Sequence, residues 1–246
     1  MGGMADEDAS VVWIVGAGSG MGRAAAVAAA TAGWTVCLSG RRTDALQETL
    51  ELVHRRGGQG LAVPVDVTDD TAVLRAAEIV QQHVGRLDAL VVAAGLNDPR
   101  RRWEDQSMDS FSRIVETNLV GVARTVDAAL PALREHSGVV VIISSYAGWA
   151  FSPGAGVAYG ASKTALRTMV KTLNAEQADA GVRACHLCPG DVATDFLDMR
   201  PTVPNERARS VMLTPDDVAR AVQFVLDAPP HVRIDELVIS PVSQTP

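Results

Sequence analysis

Seven short apolar runs recur along the chain, each parted from the next by a helix-like stretch. They are 11–15 (VVWIV), 35–39 (TVCLS), 60–65 (GLAVPV), 88–94 (DALVVAA), 138–144 (GVVVIIS), 182–188 (VRACHLC) and 235–240 (DELVIS). Most are apolar without interruption. A strand with one wet face alternates, whereas a strand covered on both faces need not, so the pattern predicts a parallel sheet with helices on each side. Helical patterns fill the gaps. One ends near Gly33; one opens with Thr43 as N-cap; a third runs from Thr68 as N-cap to Gly85. Residues 107–136 and 157–180 read as long helices, and a last one starts with Thr214 as cap and Pro215 at its first position. The expected fold class is α/β: a doubly wound parallel sheet of about seven strands flanked by helices on both faces.

A chain of 246 residues, 47% hydrophobic, suits one large α/β domain, expected over 10–246 after a disordered tail at 1–9. The formal net charge of −7 argues against a general nucleic-acid surface. No apolar run reaches the ~18 residues of a membrane span, and the acidic start MGGMADEDAS lacks an apolar signal core, so a cytoplasmic protein is expected. Three cysteines, Cys37, Cys185 and Cys188, fit a reducing compartment. Cys185 and Cys188 form a C-x-x-C, but on a strand positions i and i+3 face opposite sides, so buried structural thiols are expected.

The first strand runs into VGAGSGMGRAAA, with Gly16, Gly20 and Gly22 at the junction of strand and helix. Gly16 permits the tight turn, Gly20 lets the backbone approach a pyrophosphate, and Gly22 lets the helix pack on the strand. The helix N-terminus then offers free N–H groups to phosphate, which places Ser19 and Met21 beside them. This is the dinucleotide-binding turn of a Rossmann-type sheet. After the second strand comes LSGRRTDAL, with Gly40 where an acidic residue would bind a ribose hydroxyl, and Arg41 and Arg42 following. No carboxylate repels a 2′-phosphate there, so NADP(H) is favoured over NAD(H), with Arg41 the contact and Arg42 read as a solvated charge. Asp66, followed by Val67, ends the third strand either as an acceptor for an adenine amino group or as a helix cap.

The ordered set GAGSGMG, DV after strand three, AAG (93–95), TNLVG (117–121), ISSYAG (143–148), YGASK (159–163) and PGDVAT (189–194) resembles the short-chain dehydrogenase/reductase family over residues 10–242. The resemblance implies a catalytic set of Asn118, Ser145, Tyr159 and Lys163. It also implies nicotinamide contacts at Val192, within Pro189, Gly190 and Thr194, and cofactor contacts at Ala94 and Gly95. It further implies a homotetramer or homodimer acting on a small alcohol or carbonyl compound. This chain departs from the family pattern in three places: Val15 replaces a threonine, VAAG replaces Asn-Asn-Ala-Gly, and Ser145 and Tyr159 are separated by one residue more than the commonest spacing, with Ser144 as the alternative serine.

The residues themselves give a mechanism. Tyr159 and Lys163 at i and i+4 share a helix face. A tyrosine of pKa ~10 is a poor base, but a nearby ammonium lowers that value. Tyr159 then exchanges a proton with the substrate oxygen while Ser145 holds it; the family resemblance implies that Asn118 holds a water that extends the relay to Lys163. A non-catalytic dinucleotide-binding regulator is the alternative, and it needs no such proton donor. Arg100–Arg102 offer a contact for an anionic substrate, but the favoured reading is a solvated loop or subunit contact. Residues 195–212 read as a lid, with Trp149, Phe196 and Met199 as cavity wall or core.

Overall fold

The computed structural model describes residues 9–244, so the tail expected at 1–9 lies, Ala9 apart, outside the described residues. The chain runs β1 (Val11–Val15), α1 (Gly20–Thr31), β2 (Thr35–Ser39), α2 (Thr43–Arg55), β3 (Gly60–Ala62), α3 (Asp70–Val84) and β4 (Ala89–Val92). It continues with α4 (Met108–Val115), a π-turn (Glu116–Val120), α5 (Gly121–Glu135), β5 (Val139–Ile143), α6 (Tyr146–Trp149) and α7 (Val157–Glu176). The last elements are β6 (Arg183–Pro189), α8 (Glu206–Arg209), α9 (Pro215–Leu226) and β7 (Glu236–Ile239). The seven strands form one parallel sheet in the order β3-β2-β1-β4-β5-β6-β7. The order reverses between β1 and β4, which opens a crevice at the carboxyl ends of those strands.

Two cores explain the uninterrupted apolar runs. Val11, Trp13 and Val15 pack with α3, α5 and α7 on one face. Val12 and Ile14 pack with α1, α2 and α9 on the other. The Trp13 indole donates to Ser39 Oγ at 2.9 Å, and Ser39 donates in turn to the Val63 carbonyl at 2.7 Å, so the polar atoms this packing buries are paired. Cys185 joins the second core while Cys188 Sγ contacts His186 Nδ1 at 3.2 Å, so the two thiols part as strand geometry requires; all three cysteines are free and buried. Among the described residues no helix is long and apolar enough to cross a membrane, and no cluster suited to a metal ion occurs.

Five local readings change. The third strand stops at Ala62 because Pro64 has no N–H to give the ladder, although Val63 and Val65 still donate to Leu38 and Gly40. The N-cap of α2 is Arg42, with no side-chain cap, and Thr43 is the first helical residue. The N-cap of α3 is Asp69, accepting from the Ala72 N–H at 3.0 Å, because the Thr68 hydroxyl is engaged by Asp66 Oδ1. The segment expected as one helix over 107–136 is interrupted by the π-turn, which carries Asn118. The helix from 157 ends at Glu176, where a short 3₁₀ turn at 178–180 takes over. Thr214 and Asp217 form a reciprocal capping box at the start of α9.

Candidate active site

Two adjoining cavities open at the crevice, of about 340 and 360 Å³. The first is built on the glycine turn. Gly16 has φ +91, and a Cβ there would lie 2.6 Å from the Ala94 nitrogen, so the turn admits no side chain. A Cβ on Gly22 would stand 2.2 Å from the Gly16 carbonyl oxygen, which fixes how closely α1 approaches β1. Ser19, the N-cap of α1, makes no side-chain cap, and the first turn holds no acidic residue. The helix therefore presents its unpaired N–H groups to the cavity, an arrangement that fits a pyrophosphate. Gly16, Ser19, Gly20, Gly22, Arg41, Asp66, Val67 and Ala94 line this cavity. Met21, Gly95 and Thr194 line both cavities. Arg42 is exposed, as expected, but it also lines the first cavity and donates to Ser19 Oγ at 3.4 Å. Asp66 Oδ1 accepts from the Thr68 N–H and hydroxyl, which makes its turn-capping role visible while it remains in the cavity wall.

The second cavity is lined by Ser145, Tyr159, Lys163, Pro189, Gly190 and Val192. Segment 190–194 is held from behind: the Gly190 N–H donates to Ile239 O, the Asp191 N–H to Gln244 Oε1, and the Ala193 N–H to Leu213 O. Tyr159 and Lys163 sit one turn apart on α7. Lys163 is 3% exposed; its Nζ donates to the Ile143 carbonyl at 3.1 Å and lies 5.8 Å from the Tyr159 ring centre. Burial brings its pKa down to about 8. Ser145 caps α6 by accepting from the Ala147 N–H, and its hydroxyl hydrogen-bonds the Tyr159 phenol. Ser144 also lines this cavity, but its hydroxyl donates to the Lys163 carbonyl at 3.2 Å.

The Tyr159 phenol corrects an expectation. Burial raises its pKa, and the Ser145 hydrogen bond, Arg200 and Arg101 pull the other way without prevailing. Desolvation of the phenolate outweighs the neighbouring cations here. Asn118, fully buried, lines neither cavity. Its Oδ1 accepts from the Leu96 N–H at 2.7 Å, and its Nδ2 donates to Leu96 O at 2.8 Å and to Ser162 Oγ at 3.3 Å, pinning the loop after β4. Lys163 Nζ and Asn118 Oδ1 nonetheless flank one point, 3.7 and 3.8 Å from where a Gly95 Cβ would stand.

The lid segment contributes Phe196, whose ring is 5.9 Å from that of Tyr159, and Met199, in the first cavity. Trp149 is in neither wall: it packs edge-on against Tyr146 and is half exposed. The loop 151–156 closes the second cavity through Ser152, Gly154 and Ala155. Arg200 in this wall was not expected from sequence, and Arg101 is there although its run reads as mainly solvated. The basic run does not behave as one unit: Arg100 and Arg102 are exposed, whereas Arg101 is 7% exposed and turned into the wall. No local signal separates three consecutive arginines.

The profile of the short chain dehydrogenase family matches residues 10–203. The chain is 34% identical over 237 residues to "Glycine betaine reductase ATRR" of Emericella nidulans, covering 94% of this chain but 18% of that protein. It is 29% identical over 244 residues to "Uncharacterized oxidoreductase Lmo0432" of Listeria monocytogenes, covering 95% of this chain and 97% of that one. An alcohol dehydrogenase from Thermococcus sibiricus, solved with 5-hydroxy-NADP, superposes with a TM-score of 0.88 at 33% identity, over 97% of this chain and 99% of that one. The chain belongs to the short-chain dehydrogenase family, oxidoreductases that use a nicotinamide cofactor.

Proposed function

We propose that this protein moves a hydride between NADP(H) and a secondary alcohol or ketone, with Tyr159 carrying the proton. The bound nucleotide supplies the hydride acceptor or donor. The observation that carries the reading is Lys163: an ammonium buried against one backbone carbonyl, with no carboxylate, one turn from a half-buried tyrosine that hydrogen-bonds a serine. A buried charge kept without a counterion costs stability and marks a functional group. Ser145 orients the substrate oxygen against the Tyr159 hydroxyl, which gives its proton to a developing alkoxide or takes one from an alcohol. Lys163 stabilises the phenolate that forms, and a water between Lys163 and Asn118 extends the relay. Asn118 also holds the loop that carries Gly95. Preference for the phosphorylated nucleotide rests on Arg41 and Arg42 in the cavity wall beside Gly40, with Asp44 outside it. A homotetramer or homodimer in the cytoplasm accompanies this reading, supported by the family resemblance, and light scattering tests the assembly.

Tyr159→Phe tests the chemistry. Turnover of ketones, followed by absorbance of the reduced nicotinamide, falls ~10²–10⁴-fold while nucleotide affinity holds. Ketone reduction at the parental rate would refute the proton role. Fluorescence titration gives tighter binding of NADPH than of NADH; the reverse order overturns the argument from Arg41.

A further inference from the structure

The second cavity carries more charge than a neutral ketone needs. Its ionisable wall residues other than Tyr146 and Tyr159 are Arg101, Lys163, Arg200 and Asp191, and Asp191 is already paired with Arg200. Arg101 has no such partner. It is 7% exposed, its Nε is buried without a hydrogen bond, and no acceptor reaches its guanidinium among the described residues. Burial and the like charge of Arg200 both act against its charged form.

Its position is fixed. Gly156 has φ +90, and a Cβ there would meet the Arg101 Cβ, Cγ and Cδ at 2.6–2.9 Å, so the aliphatic stem lies directly on the start of α7. The Arg101 carbonyl accepts from the Val157 N–H at 3.3 Å, and Asn97 Nδ2 donates to Ala155 O at 3.2 Å, closing the loop over it. The stem is thus held against Gly156, three residues ahead of Tyr159, and the guanidinium is close enough to act on the Tyr159 phenol. A planar fork of donors facing a cavity, next to a second guanidinium, matches a carboxylate bound bidentately.

We infer that the substrate is an anionic hydroxy or oxo acid whose carboxylate is bound by Arg101, leaving its alcohol or carbonyl carbon beside Ser145 and Tyr159. The inference rests on the proposed function for the reaction and adds which compounds are held.

The test uses the full chain with NADPH and matched pairs: a 3-oxo acid against its methyl ester and amide, with an oxoalkyl phosphate as a further arm. The wild type prefers the acid in kcat/KM. Arg101→Gln lowers the acid-to-amide ratio about 100-fold, Arg101→Lys restores part of it, and the exposed neighbour Arg102→Gln keeps the wild-type ratio. Equal use of acid and amide, preference for the phosphate, or an unchanged ratio in Arg101→Gln overturns the inference. Calorimetry with malonate against malonamide separates it from the redox reading. If no compound is turned over but malonate binds to wild type and not to Arg101→Gln, the carboxylate site stands and the redox proposal fails. If neutral ketones are reduced and malonate does not bind, the reverse holds.

Discussion

Replacing Lys163 by methionine should stabilise the protein at neutral pH while stopping its chemistry. The ammonium is 3% exposed and its pKa falls from 10.5 to about 8. At ~1.4 kcal/mol per pH unit, that displacement corresponds to about 3 kcal/mol of native-state cost wherever lysine is charged in both states, below pH 8. The methionine variant avoids this cost, fills the same space and gives up one hydrogen bond to Ile143 O, worth about 1 kcal/mol. The net expectation is about 2 kcal/mol of added stability at pH 7 in protein stripped of nucleotide. The pH dependence identifies the cause. Between pH 8 and 10.5 the unfolded chain holds a proton that the folded wild type has released, so wild-type stability rises with pH and the gap closes. Urea denaturation of both proteins at several pH values from 7 to 11 measures it. A variant less stable at pH 7, or a gap that does not change with pH, would refute the claim that burial of this charge opposes folding. Ketone turnover should fall ~10²-fold or more in the same variant, since the phenolate loses its cation.

Three further perturbations test the scaffold. Gly22→Ala gains ~1 kcal/mol of helix propensity but places a Cβ 2.2 Å from the Gly16 carbonyl, so a net loss of about 2 kcal/mol and weaker nucleotide binding are expected in denaturation and fluorescence titrations. Asn174→Ala removes the amide that serves both backbone groups of Ala184 at 2.6 and 2.9 Å, and about 3 kcal/mol should be lost in urea melts. The pKa of His186 lies below its usual 6.5 because burial outweighs Glu236. The unfolded state therefore takes up a proton first as pH falls below ~6.5, and stability declines there; His186→Gln should flatten that part of the profile, and an unchanged slope would remove His186 as its source.

What was legible in the sequence is what local pattern determines. Apolar runs placed the strands because both faces of each are covered, as Trp13 and Ile14 show by entering opposite cores. The Tyr159–Lys163 spacing placed both on one helix face, and the glycine turn fixed the approach of α1 to β1. Caps went wrong where two neighbours competed for one role: Thr68 and Asp69 are both good N-caps, and Asp66, by engaging the Thr68 hydroxyl, decides for Asp69. The π-turn was hidden because its partner, Leu96, lies in another segment.

An anion contact was legible for the run Arg100–Arg102, but not which of the three makes it. Three identical side chains stand in a row, and which of them turns inward is settled by Gly156, the residue that leaves room for the stem. The same positive-φ glycine begins the helix bearing Tyr159 and Lys163. One backbone position therefore couples the buried guanidinium to the proton-transfer pair. Among the described residues no carboxylate pairs with Lys163 or Arg101, both buried cations that border one cavity. Each weakens the folded chain, and a developing phenolate beside one and a carboxylate on the other would offset that cost when substrate is held. An exposed basic loop would explain neither the burial of Arg101 nor the missing Cβ at position 156.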